Sequence, residues 1–394
     1  MLSHKKSVKN QNYEDYWQLT LGNTDFYGTQ FVRILKLMVD HIDKYGLADK
    51  SEDELVKGNG QHKKFNQEVT HAKELEDKVY NLYPKADRGS TRKEMNQYIK
   101  LGFIKPYYHG YAPAAKEYIK STQTTENRQR LFSDTVYQYA TFNSSGTKSS
   151  PYNQMKFIVQ TILNRDSKKL TYQELKGLMS DTHVLEQKYA QEKVIQADSR
   201  WVDQINFQRR KYNQIGYIFN VLSKMSLFKV VGRRREDKVV VLADHAPEYF
   251  PEPGDTTRDT YRFSLMKKAV YDESIRHYGK KICWLTKKES MGLVVSHLYA
   301  SAEALRKYDN DAAYDPQNAL LLAPGNPDQY LDKYKMTFDM DGNPIFTDDD
   351  DSMFVQEVEE NHYKIDKEIM TPDRQHYMKI HNKYFEKKNN QKIN

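Results

Sequence analysis

Cys283 is the only cysteine in this 394-residue chain. It has no internal disulfide partner, and it rules out every all-cysteine zinc cluster. Neither covalent staples nor cysteine-held zinc can organise the fold. Burial of apolar surface must do so, over a length that suits about two to four domains. This cysteine usage fits a reducing, cytoplasmic location. No run approaches the ~20 consecutive apolar residues of a membrane span, so no membrane association is expected. The opening residues Met1-Leu2-Ser3-His4-Lys5-Lys6 are basic but lead into no apolar stretch. A secretory signal is therefore not expected.

The net charge of +7 is unevenly spread. Residues 341–360 carry eight acids and no Lys or Arg, which leaves the remainder with 61 basic against 46 acidic residues. A basic body invites a phosphate-bearing partner, because every neutralised phosphate releases counterions. The 30 tyrosines add amphipathic rings suited to wet interfaces. The tetrad Asp348–Asp351 reads as a solvated loop, since four adjacent acids cannot all face one ion.

No fixed-period repeat is visible. Residues 1–25 look irregular. From Tyr27 to Tyr45, Phe31, Ile34, Leu35, Leu37, Met38 and Ile42 fall near helical spacing, and Gly46 stops the run. Residues 50–61 read as a polar loop, and Lys64 to Tyr83 as one helix ended by Pro84. Ser90 or Thr91 is placed to cap the next helix, with Glu94 in its first turn and Gly102 at its end. This helix pair has a helix-turn-helix outline. A second pair follows in residues 151–180, where Thr171 and Glu174 form a capping box. Residues 203–242 then give a helix and two strand-like runs, Leu227–Val231 and Val239–Leu242, joined through Arg233-Arg234-Arg235. Helices followed by a ribbon with a basic tip make a winged-helix outline, and such a tip suits a phosphate backbone. Residues 243–260 have the Pro, Gly and acid content of a linker.

The segment from Gly292 to Ile345 carries the chemistry. Leu293-Val294-Val295 is a β-run ending at Ser296-His297. Asp315-Pro316-Gln317-Asn318 opens a second apolar strand. Asp328 and Asp332, at i and i+4, share one face of a helix. Phe338-Asp339-Met340-Asp341-Gly342 closes with a hairpin. Each feature alone also occurs as ordinary structure: a histidine after a strand, a solvated acid pair, an Asp-Pro turn. Their joint occurrence in one order is what sets the segment apart. Cys283 and Trp284 are expected in the core, and Met336 and Met340 need no special role.

In that order the segment resembles the HNH, or ββα-metal, nucleases, in the form found among type II restriction endonucleases. The resemblance spans roughly residues 265–388 and includes a closing helix through Thr371, Pro372, Tyr377, His381 and Phe385. It implies that His297 is the general base, oriented through a backbone carbonyl on its far nitrogen. It implies that Asn318 ties the loop between the strands to the helix and so fixes His297. Asp328 and Asp332 become the ligands of one Mg²⁺, for which Mn²⁺ substitutes. Many relatives have a metal-binding residue before the histidine. Here it is Ser296, whose hydroxyl is a poor ligand. The common Asn-Gly is Asn318-Ala319, and the all-carboxylate helix pair favours Mg²⁺ over zinc. No structural zinc is expected.

The expected fold class is α+β: N-terminal, mainly helical, winged-helix-like DNA-reading units followed by a C-terminal ββα-metal nuclease domain. The regions are 1–150, helical and helix-turn-helix-containing; 151–250, winged-helix-like; and 251–394, the HNH nuclease. The expected function is sequence-specific cleavage of double-stranded DNA by a homodimer with a companion methyltransferase. DNA contacts are expected from Arg92, Lys93, Asn96, Gln97, Lys168, Lys169, Arg209, Arg210, Arg233, Arg234 and Arg235. Two other readings stay open: a modification-dependent or less specific HNH nuclease in phage defence, and a non-catalytic winged-helix regulator.

Overall fold

Phe31, Ile34, Leu35, Met38, Val39 and Ile42 recur at helical spacing and are all buried on one face of α1 (Thr29–Lys44). The helix stops where Gly46 takes a left-handed conformation, φ 56°. The computed structural model describes residues 16–59, 62–181, 183–205, 207–244, 246, 258–347 and 352–390. The chain is mixed α+β, mostly helical with small antiparallel sheets, and divides into two units, Met1–Ala246 and Pro247–Asn394. Among the described residues no helix is long and apolar enough to cross a membrane. The acidic tetrad Asp348–Asp351, residues 1–15 and most of the expected linker lie outside the described residues.

In the N-terminal unit, α1 is followed by α2 (Glu52–Leu55), β1 (Val56–Lys57), β2 (Lys64–Phe65), α3 (Gln67–Thr70), α4 (Ala72–Leu82), α5 (Arg88–Lys100), α6 (Ala114–Tyr118) and α7 (Thr125–Tyr139). Phe26, Phe31, Phe103, Tyr118 and Phe132 form its aromatic centre, with Phe26 stacked on Phe132 at 4.7 Å. Three local expectations need correction. Residues 50–61 are not all loop: Ser51 and Glu54 make a capping box for α2, and β1 pairs with β2. The run from Lys64 to Tyr83 is not one helix. Lys64 and Phe65 are held extended by β1, and His71 breaks the chain with φ 46°, while the Thr70 hydroxyl folds back onto the Asn66 carbonyl. Asp87, not Ser90 or Thr91, caps α5. Its carboxylate accepts from Ser90 N at 2.7 Å, and Ser90 and Thr91 lie inside the helix.

The same unit continues with α8 (Gln154–Asn164), β3 (Lys169–Thr171), α9 (Tyr172–Met179), α10 (Glu192–Gln204), α11 (Phe207–Leu222), β4 (Phe228–Val231) and β5 (Val239–Leu242). The Thr171–Glu174 capping box expected at the start of α9 is present. β5 lies between β3 and β4 in an antiparallel sheet, with Thr171 and Val231 both opposite Val239. The β4–β5 turn needs glycine at 232: φ is 105°, and a Cβ there would sit 2.3 Å from the Asp237 carbonyl oxygen.

The C-terminal unit starts with α12 (Thr260–Tyr278), capped by Asp259. It proceeds through β6 (Val294–His297), α13 (Ser301–Arg306), α14 (Asn310–Tyr314), β7 (Ala319–Leu322), α15 (Asn326–Asp332), β8 (Met336–Phe338), β9 (Pro344–Phe346), α16 (Met353–Glu360) and α17 (Pro372–Asn389). β6 pairs antiparallel with β7, Val294 opposite Leu322 and His297 opposite Ala319. Every residue of β7 is fully buried, as are Cys283 and Trp284. Arg374 on α17 is buried too. It makes a two-pronged pair with Glu273 of α12 at 3.0 and 2.9 Å, and its Nε donates to the Ala319 carbonyl at 2.9 Å. These bonds join α12 and α17 to the start of β7, directly after Asn318.

Candidate active site

Val295 and Ser296 of β6 are both buried, and the strand ends at the partly exposed His297. The connection to β7 then returns beneath His297. Its Nε2 donates to the Ala313 carbonyl at 3.3 Å, the backbone partner that the sequence left unnamed. Asn318 is fully buried and pins this connection. Its Oδ1 accepts from Tyr299 N at 2.7 Å, and its Nδ2 donates to the carbonyls of Tyr299 (2.8 Å) and Ala312 (2.9 Å). The tie therefore runs within the β6–β7 connection, from β6's exit to α14, and not to α15.

α15 follows β7 through Gly325 and carries Asp328 and Asp332 one turn apart. Ser296, His297, Asp328 and Asp332 all line one cleft of about 530 Å³. The buried Ser296 hydroxyl donates to the Asp328 carboxylate at 2.5 Å, which orients that carboxylate. Partial burial and then the charge of Asp328 raise the pKa of Asp332, against a smaller opposite effect of Arg258. His297 is pushed down to about 4, first by burial and then by the charge of Arg258, with the Ala313 carbonyl opposing. The ring is therefore neutral at pH 7.

Three further lining residues had no signal in the motif pattern. Arg258 lies just ahead of α12, and Phe263 and Lys267 lie on that helix. Phe263 stacks at 6.2 Å on the His297 ring, and the Arg258 guanidinium lies 4.9 Å from the Phe263 ring. They reach the cleft by packing across the unit, which local spacing does not encode.

Two carboxylates in a cleft suit a hard divalent cation, which commonly takes one or two protein carboxylates and fills its other positions with water and phosphate oxygens. Among the described residues no group of three or more His, Cys, Asp or Glu side chains is gathered as a metal site.

The expected DNA contacts differ in accessibility. Arg92, Lys93, Lys168, Lys169, Arg233, Arg234 and Arg235 are exposed. Arg92 pairs with Glu76 at 3.1 Å and Arg234 with Asp237 at 2.8 Å. Asn96 is half-buried, its Oδ1 accepting from Gly146 N. Gln97 cannot serve as a groove-reading residue: it is fully buried, and its Oε1 accepts from the backbone N–H groups of Gly22 and Asn23. A short polar run around a helix start does not reveal which residue the helix turns inward. Arg209 and Arg210 fall on α11, and their side chains lie outside the described residues. No known protein-family model matches the chain, and no curated protein is similar to it in sequence.

Proposed function

We propose that the protein is a metal-dependent DNA endonuclease of the HNH type, acting on double-stranded DNA in the manner of a type II restriction enzyme. The observation that carries this reading is the cleft that gathers His297, Ser296, Asp328 and Asp332 beside the β6–β7 pair. With its proton on Nε2 and donated to Ala313, His297 keeps the Nδ1 lone pair to accept a proton from an attacking water. Attack at phosphorus forms a P–O bond and breaks the bond to the 3′ oxygen. Asn318 holds the Ala312 carbonyl, one residue before the Ala313 carbonyl that meets His297. Asp328, set by Ser296, and Asp332 would hold Mg²⁺, or Mn²⁺ in its place. When bound, the ion supplies charge stabilisation at the phosphate and at the leaving oxygen. Arg258 and Lys267 line the same cleft and suit the DNA backbone.

For DNA reading, the support is the order α8, β3, α9, α10, α11, β4, β5 with β5 central in the sheet, a winged-helix outline that carries one additional helix. The exposed arginines of its β4–β5 tip suit phosphates. A homodimer, which would deliver two cuts at a palindrome, and a companion methyltransferase belong to the same reading. The test is a digest of genomic DNA with Mg²⁺, followed by sequencing of the ends. Ends that share one motif support sequence-specific cleavage. Cutting restricted to methylated DNA would select the modification-dependent enzyme instead.

A further inference from the structure

The N-terminal unit holds a second concave site, of about 770 Å³. This volume lies within the ~300–1,000 Å³ usual for small-ligand sites. Its walls are α4, α5, β2 and the loop through Gly146. Lys63, Lys64, Lys73, Arg88 and Arg92 line it. The lining acids Asp77 and Glu76 pair with Arg88 at 2.6 Å and Arg92 at 3.1 Å, Lys73 lies 3.9 Å from Asp77, and Lys63 pairs with Glu52 at 2.5 Å. The cations outnumber these acids, so the cleft favours an anion, and the pairs hold both guanidinium groups in position.

Charge is only one part of the site. The Phe65 ring stacks on buried Tyr108, with centroids 4.9 Å apart and planes 10° from parallel. Phe65 itself is half-buried and lines the cleft. Gly146 makes this placement possible: a Cβ there would lie 2.5 Å from Phe65 Cζ. Gly146 N donates to Asn96 Oδ1 at 2.9 Å, which fixes the Asn96 amide at the cleft wall. A flat aromatic surface, an oriented amide and an excess of cations together fit a ring-bearing phosphate better than a simple anion.

We propose that this cleft binds a nucleotide, with its base on Phe65, the base edge at the Asn96 amide, and its phosphate at Lys64 and Arg92. The proposal goes beyond the nuclease reading and needs neither His297 nor a metal. The nucleotide could come from two sources, a DNA strand that presents an unpaired base or a free mononucleotide.

The test is equilibrium binding to the full-length chain, in EDTA so that cleavage plays no part. Labelled single-stranded dT12 and dA12 are titrated in parallel with the four deoxynucleoside monophosphates, with inorganic phosphate as competitor. We expect saturable binding of a strand or a mononucleotide, with phosphate competing at least about tenfold less well. Phe65→Leu and the exposed-site variant Lys64→Glu should each weaken binding by about tenfold while the melting temperature is kept. Binding of strands alone identifies DNA as the source, and binding of a monophosphate identifies the free nucleotide. Either result supports the site. No saturable binding, phosphate competing equally well, or unchanged affinity in both variants would overturn it. Cleavage with Mg²⁺ is read separately, so failure of the nuclease reading is distinguishable from failure of this one.

Discussion

His297 sits between a ring, a carbonyl and a nearby cation, and each neighbour has a separate consequence. Phe263 and the surrounding burial strip water from the imidazole, Arg258 adds a repelling positive charge, and Ala313 holds Nε2. A base held at about 4 stays unprotonated throughout the neutral range. Cleavage should therefore show no fall with a midpoint near 6.5, and the His297 ring should titrate near 4 by NMR; a midpoint at 6.5 would remove it as a pre-set base. His297→Ala should lower Mg²⁺-dependent cleavage by about 10²–10⁴-fold while leaving DNA affinity in place. His381 is also pushed down to about 4, by burial, with its ring between Thr337 (2.8 Å) and the Leu331 carbonyl (3.2 Å). The sign follows from proton uptake: below about 6.5 the unfolded chain protonates these histidines first. Their contribution to stability is full above that pH and diminishes as pH falls toward 4. Melting temperature should drop between pH 7 and 5, and His381→Gln should flatten the drop.

Elements were legible in the sequence where local rules decide them. Helix α1 follows from spacing, α9 from a capping box, and the i, i+4 acids from a single turn of α15. Legibility ended where tertiary packing decides. Pairing of β1 with β2 cut short an apparent helix, and Asp87 outcompeted two hydroxyls for the α5 cap. Gln97 reads as a polar surface residue until the helix turns it inward. The buried Arg374–Glu273 pair was equally hidden, since its partners lie far apart in the chain. Removing one member leaves an unpaired buried charge, so Arg374→Met should destabilise by about 3–5 kcal/mol in urea denaturation. Adding Glu273→Leu should recover much of that stability, and no recovery would contradict a charge-based explanation. At the β4–β5 tip, reversing Arg233, Arg234 and Arg235 to Glu should lower the salt dependence of DNA binding by about 0.9 in slope for each phosphate that is no longer neutralised.

Over the whole molecule, the modest net charge of +7 averages a basic remainder with the acid-rich run 341–360. The candidate catalytic groups all belong to the C-terminal unit, and the exposed arginines expected at DNA and the second cleft belong to the N-terminal one. His297, Asn318, Asp328 and Asp332 could be proposed together from sequence because they fall at a strand end, a turn and one helical turn, and the fold brings His297, Asp328 and Asp332 to one cleft. Arg258 and Phe263 could not, because only the folded unit brings them to His297. Hydrolysis of DNA is the property on which this reading stands. The most direct measurement compares wild type with His297→Ala on the same duplex DNA, with Mg²⁺ and with Mn²⁺, scoring binding and strand cleavage together. Wild type should bind and cut, with ends sharing one sequence, and the variant should bind and leave the strands intact. Wild-type protein that binds but cuts with neither ion, or a variant that cuts as fast as wild type, would contradict it.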